Sequence, residues 1–133
     1  MKVKIFTDGG ARGNPGPAGI GGVIFDEQGE VIGEVSEYIG ETTNNVAEYQ
    51  ALLATLQKAQ TLGAKSVDCF LDSQLVVRQM KREYKVKDAR LAEIFVQVHN
   101  VSVHIGHVTF THVPREQNKH ADKLVNKAID AHR

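Results

Sequence analysis

The sequence predicts an α/β domain built on a mixed five-stranded sheet: three antiparallel strands, then two parallel ones, with flanking helices. Three observations carry that expectation. Short strand-like runs open the chain and are separated by turn residues rather than helices. From Thr42 onward, helical and strand periodicities alternate, which implies parallel strands reached by crossovers. The 133 residues are 41% hydrophobic and 24% charged, ordinary for one globular domain, and nothing resembles a repeat or linker. Residues 1–133 are therefore read as one domain.

Each element has its own signal. Val3–Thr7 reads as a first strand ending at Asp8, and Gly9 to Pro17 as a turn-rich loop. Gly22–Phe25 and Val31–Tyr38 read as two strands joined by the hairpin signal Asp26-Glu27-Gln28-Gly29. Thr42-Thr43-Asn44-Asn45 supplies helix-capping residues. Val46, Tyr49, Leu53, Leu56 and Ala59 follow at helical spacing until Gly63. Ser66–Leu71 is a fourth strand, with Asp72 at its end. Ser73 to about Met80 and Ala89 to about Asn100 are predicted helices, and Val108–His112 a fifth strand. A last helix, from Gln117 to about Ala131, carries the stripe Ala121, Leu124, Val125, Ala128.

Composition narrows the function. The lone Cys69 excludes an internal disulfide and, inside a strand run, reads as a small buried hydrophobe. No signal peptide and no apolar run near the roughly 20 residues of a membrane span is visible, so a cytoplasmic, monomeric protein is expected. The 16 basic and 16 acidic residues cancel, which counts mildly against nucleic-acid binding. Distribution matters more than the total. Arg78, Lys81, Arg82, Lys85, Lys87 and Arg90 form one basic group; Arg115, Lys119, Lys123 and Lys127 form another. Acidic residues gathered around a metal also lose much of their negative field.

Four carboxylates are the candidates for chemistry: Asp8, Glu48, Asp72 and Asp122. Singly, each has an ordinary explanation. Asp8-Gly9 is a turn dipeptide, Glu48 follows Asn45 as in a capping box, Asp72 can cap a helix, and Asp122 can lie on an exposed face. Together they point elsewhere. Functional groups of open α/β sheets gather at the carboxyl ends of strands. Asp8 and Asp72 end two strands, and Glu48, read in the first turn of the helix between them, can lean over the same edge. Clustered carboxylates repel unless cations hold them, and oxygen-only ligation suits Mg²⁺ or Mn²⁺. Two such ions about 4 Å apart are a known arrangement for phosphodiester cleavage.

At this point four stretches resemble one family. Thr7-Asp8-Gly9-Gly10-Ala11-Arg12-Gly13-Asn14-Pro15-Gly16-Pro17, Thr42-Thr43-Asn44-Asn45-Val46-Ala47-Glu48-Tyr49, Leu71-Asp72-Ser73-Gln74 and Pro114-Arg115-Glu116-Gln117-Asn118-Lys119-His120-Ala121-Asp122 are similar, in order, to the motifs of type 1 ribonucleases H. The last is the form of shorter members, without the basic protrusion. The resemblance runs from residue 3 to about 130. It implies a ribonuclease H fold and cleavage of the RNA strand of RNA–DNA hybrids, leaving 5′-phosphate and 3′-hydroxyl ends. It implies Asp8, Glu48, Asp72 and Asp122 as ligands of two Mg²⁺ or Mn²⁺ ions. Gly9, Gly10, Asn14, Asn44, Asn45 and Gln74 match positions near the hybrid, and Thr43 a position that grips a DNA phosphate. Discrimination would then rest on shape and 2′-hydroxyls.

Two departures stand out. Where many members carry a mobile His before the last Asp, this chain has Arg115, with His112 nearby at a strand end. The span from Met80 to Ala92 is too short for the basic insertion of larger members, and its Lys and Arg residues are either a partial replacement or a solvated face. The alternatives are a nucleic-acid-binding relative with little or no activity, a phospho-acceptor domain and a purely structural domain. The antiparallel opening and the Asn44-Asn45 pair argue against the phospho-acceptor.

Overall fold

The structure, a computed structural model, describes residues 1–132. The elements follow in the order β1 (Lys2–Ala11), β2 (Gly16–Phe25), β3 (Val31–Thr42), α1 (Asn44–Thr61), β4 (Ser66–Leu71), α2 (Gln74–Met80), α3 (Ala89–Ile105), β5 (His107–His112) and α4 (Lys119–His132). A single 3₁₀ turn, Arg115–Gln117, precedes α4. The five strands form one sheet in the order β3-β2-β1-β4-β5. The β1–β2 and β2–β3 pairs are antiparallel, and β1–β4 and β4–β5 are parallel. The expected fold class is therefore the observed one, with β1 at the centre.

Several boundaries differ from the sequence reading. β1 continues through Gly9 and Gly10 to Ala11, and these pair with Ile20, Gly19 and Ala18 of β2. Residues that read as loop are thus strand, and Asp8 lies within β1 rather than at its end. β2 begins at Gly16 instead of Gly22, and β3 extends to Thr42. α3 runs on to Ile105 past the expected Asn100, ending where Gly106 adopts φ 116°. α4 starts at Lys119, because Arg115–Gln117 forms the 3₁₀ turn first.

Close helix–sheet approach explains the glycine-rich second strand. A Cβ at Gly21 would fall on the Ala121 carbonyl of α4, and one at Gly22 on the Thr55 side chain of α1. Successive strand residues face opposite ways, so these contacts place α4 and α1 on opposite faces of the sheet. The main core lies on the α1 side. Val3, Ile5, Val67, Cys69 and Leu71 meet Tyr49, Leu52 and Leu56, with Ile94 and Val98 of α3 behind them. Cys69 is fully buried, and burial pushes its thiol well above the ordinary value, which fits the reading of an inert small hydrophobe. The stripe expected of the last helix, Ala121, Leu124, Val125 and Ala128, is buried. Among the described residues, no helix is long and apolar enough to cross a membrane.

Candidate active site

Parallel pairing builds the site. Thr7 of β1 stands in register with Leu71, the last residue of β4, so Asp8 in β1 and Asp72 just past β4 come next side by side. α1 supplies the third carboxylate. Thr43 caps it, its Oγ1 accepting from Val46 N at 3.3 Å. Counted from that cap, Glu48 lies at the start of the second turn, not in the first as expected, and the capping-box explanation with Asn45 falls away. Gly9 lets α1 come close, since a Cβ there would meet the Ala47 carbonyl. The Gly9 N–H then donates to Glu48 Oε1 at 3.2 Å.

One carboxylate oxygen each from Asp8, Glu48 and Asp72 lies within 4.8 Å of the others. Asp8 and Glu48 are buried, at 8% and 9% exposure, and Asp72 is half-buried. Asp122, half-buried in the first turn of α4, stands outside that set of three but lines the same hollow.

The electrostatics are unfavourable for a metal-free cluster. Burial is the largest influence on Asp8 and the charge of Asp72 the next; together with Asp122 they lift its carboxyl from an ordinary 3.8 to about 7, against the lowering effect of a hydrogen bond shared with Glu48. Glu48 is raised well above its usual range, by burial first and then by the charges of Asp8 and Asp72. Its Oε2 is buried and, among the described residues, receives no donor. Among the described residues, no ion pair engages Asp8, Glu48 or Asp72. Converging carboxylate oxygens, one of them orphaned, with no basic partner, form a donor set suited to a hard divalent cation.

The other expected residues fall at graded distances from this centre. Gly9, Gly10, Asn44, Asn45 and Arg115 line the hollow with the carboxylates. Asn14 Oδ1 accepts from Asn44 N at 3.1 Å, and Asn44 Oδ1 from Ala11 N at 2.8 Å, so both brace the end of the β1–β2 hairpin. Asn44 and Asn45 are exposed on the first turn of α1, and Gln74 is exposed at the start of α2. Thr43 is exposed and serves as the cap. Ser73, not Asp72, caps α2, its Oγ accepting from Val76 N at 3.3 Å. His112 is exposed at the end of β5, beside Leu71. The basic residues Lys81, Arg82, Lys85, Lys87 and Arg90 are exposed, with Arg78 lying over the Tyr84 ring at 5.2 Å. A buried link ties their loop to α1: Tyr49 OH donates to Gln79 Oε1 at 2.7 Å, and Gln79 Nε2 to the Lys85 carbonyl at 3.2 Å.

Sequence reasoning missed the residues that set the geometry from behind. Asn118, 1% exposed, donates through Nδ2 to the Thr7 carbonyl at 2.8 Å and so ties the start of α4 to the residue before Asp8. Ser73, Val125, Asn126 and Ile129 also line the hollow. The last three follow Asp122 at the i+3, i+4 and i+7 spacing of one helix face, a signal visible in the sequence.

Comparison with known proteins agrees with this geometry. The reverse transcriptase-like family model matches residues 6–128. The bifunctional protein Rv2228c of Mycobacterium tuberculosis is 45% identical over 98% of this chain, which spans 36% of that protein. Ribonuclease HI of Halobacterium salinarum is 38% identical over 97% of this chain and 65% of its own length. The chain thus spans roughly a third to two-thirds of these relatives. The crystal structure of LC11-RNase H1 in complex with an RNA/DNA hybrid superposes with a TM-score of 0.93 at 51% identity, covering 97% of both chains. That of RNase H1 from H. salinarum superposes with a TM-score of 0.96 at 37% identity, covering 98% of this chain and 99% of the other. The strand order, the three carboxylates gathered where β1 and β4 run side by side, and the shared architecture agree: the chain belongs to the ribonuclease H family.

Proposed function

We propose that this chain is a ribonuclease H domain that hydrolyses the RNA strand of RNA–DNA hybrids, leaving 5′-phosphate and 3′-hydroxyl ends. One observation carries the reading: three carboxylates from three separate elements meet within 4.8 Å, two of them buried and none ion-paired among the described residues. Buried like charges destabilise a fold unless they serve a ligand. Asp8, Glu48, Asp72 and Asp122 are the residues that would hold two Mg²⁺ or Mn²⁺ ions. Such ions supply water activation and charge neutralisation at a phosphodiester when bound.

The chain's own groups do the rest. The Gly9 N–H orients the Glu48 carboxylate, and Asn118 fixes the strand from which Asp8 projects. Asn14, Asn44, Asn45 and Gln74 are exposed side chains that offer donors and acceptors to the minor groove or backbone of a hybrid. Gly9 and Gly10 line the hollow with their backbone, and Thr43, exposed at the cap of α1, is read as the contact to a DNA phosphate. Arg115 shares the hollow with the carboxylates and brings a planar guanidinium to it. Its role is to bind the scissile phosphate or the new 5′-phosphate by paired hydrogen bonds.

Incubating the protein with a labelled RNA–DNA hybrid, Mg²⁺ or Mn²⁺, and then a chelator tests this. Cleavage of the RNA strand that stops on chelation is the expected result. Tight hybrid binding without cleavage in either metal would leave a nucleic-acid-binding protein instead.

A further inference from the structure

The fourth carboxylate is held differently from the other three. Asp8, Glu48 and Asp72 sit on β1, α1 and the end of β4, whereas Asp122 rides on α4 and lies outside the 4.8 Å set. Its position depends on how α4 is tied to the central strand. Asn118 supplies one tie, near the start of the helix. Arg12 supplies another, further along. It lies in the turn between β1 and β2, where its N–H donates to the Pro17 carbonyl at 2.8 Å. Its guanidinium reaches across to α4: Nη1 donates to Asp130 Oδ1 at 2.7 Å and Nη2 to Asn126 Oδ1 at 3.2 Å. Asn126 Nδ2 in turn donates to the Asp122 carbonyl at 3.2 Å and lies 3.5 Å from Asp122 Oδ2. Arg12, Asn126 and Asp122 all line the hollow that holds Asp8 and Glu48.

The order of donors in this chain matters. A guanidinium has only donors, so Asn126 must turn its oxygen to Arg12. Its amide N–H groups then face one helical turn back, toward the Asp122 carboxylate. Without Arg12 the amide is free to turn over and offer oxygen to oxygen. The same turn carries Asn14, whose Oδ1 accepts from Asn44 N, so one short segment joins the exposed asparagines to α4. As a surface ion pair the Arg12–Asp130 contact contributes little stability, both side chains being at least a third exposed.

We propose that Arg12 is a positioning residue for Asp122, acting through the side-chain amide of Asn126. The proposal rests on the hydrolytic reading of the carboxylates. Two measurements test it. The first is hybrid cleavage by wild type, Arg12→Ala, Arg12→Lys, Asn126→Leu and the Arg12→Ala/Asn126→Leu double variant. Each of Arg12→Ala and Asn126→Leu should lower kcat about tenfold with KM changed less than about twofold. The double variant should be no slower than either alone, because both break one chain. Arg12→Lys should fall between, since an ammonium cannot span Asn126 and Asp130 as the planar fork does. The second is the NMR signal of the Asn126 side-chain amide in the metal-free protein. It should shift in Arg12→Ala while that of Asn45 stays in place and the thermal midpoint changes by no more than a few degrees.

A raised KM with unchanged kcat would make Arg12 a direct phosphate contact and overturn the proposal. So would additive losses in the double variant, or an Asn126 signal indifferent to Arg12. If wild type fails to cleave, the hydrolytic reading falls, and the amide signal still decides whether Arg12 sets Asn126.

Discussion

Replacing Asp8 with Asn should stabilise the metal-free protein, by an amount that depends on pH in a definite sense. In the folded state the Asp8 carboxyl is held at about 7, against an ordinary 3.8. Well below pH 3.8 it is neutral whether folded or unfolded, and Asn and Asp are then near-equivalent in charge and shape. As pH rises from 4 to 7 the unfolded chain releases the proton while the folded one keeps it. Wild type loses about 1.4 kcal/mol of stability per pH unit over that window, and the loss levels off once the folded carboxyl ionises near pH 7. The full difference is roughly 4 kcal/mol, and adjustment of Glu48 and bound counter-ions bring the expected gain for Asp8→Asn to about 2–4 kcal/mol at pH 8. Such a gain is a large part of the roughly 5–15 kcal/mol that holds a domain of this size together. An Asn amide also offers a donor to Glu48 Oε2, which has none. Urea unfolding in the presence of chelator, at pH 4 and pH 8, measures the difference directly. A variant less stable than wild type at pH 8, or a difference that ignores pH, would show that Asp8 is a structural residue and that the cluster is not strained.

Other perturbations separate the roles assigned to neighbouring residues. Mg²⁺ or Mn²⁺ at a hundredfold excess over its dissociation constant should stabilise wild type by about 2.7 kcal/mol and Asp8→Asn much less, read as a metal-dependent shift in thermal midpoint. Asn45→Ala and Gln74→Ala should weaken hybrid binding or cleavage several-fold without changing metal affinity by calorimetry; a loss of metal binding equal to that of Asp72→Asn would show them to be ligands instead. Arg115→Ala should lower kcat at least tenfold with fold and metal binding intact, Arg115→Lys should restore part of it, and His112→Ala should do much less; the reverse ranking would make His112 the working residue. Gly21→Ala should cost several kcal/mol in thermal or urea unfolding, because the added methyl meets the Ala121 backbone and pushes α4 off the sheet.

Much of this is legible in the sequence alone. Element order, sheet class and the convergence of Asp8, Glu48 and Asp72 all follow from strand runs, helical spacing and acidic residues at strand ends. Local signals misled where tertiary contacts override them. Gly9-Gly10 reads as a turn, yet it is strand, because β2 is there to pair with it and α1 needs the missing Cβ at Gly9. Glu48 looked like half of a capping box with Asn45, but Thr43 is the cap, which releases the carboxylate for the site. The Arg12 contacts to Asn126 and Asp130 join residues more than a hundred positions apart, and no local pattern announces them. Asn118 was visible only as part of a motif. Its work, a buried hydrogen bond to the Thr7 carbonyl, depends on where α4 lands.

Under the proposed function, the carboxylate cluster directs water at a phosphodiester in the RNA strand of a hybrid. End analysis of the cleavage products, run in ¹⁸O-enriched water with wild type and Asp8→Asn side by side, tests it most directly. Wild type with divalent metal should give 3′-hydroxyl ends and ¹⁸O in the 5′-phosphate, and Asp8→Asn no products. Cyclic 2′,3′-phosphate ends, or equal cleavage by Asp8→Asn, would contradict it.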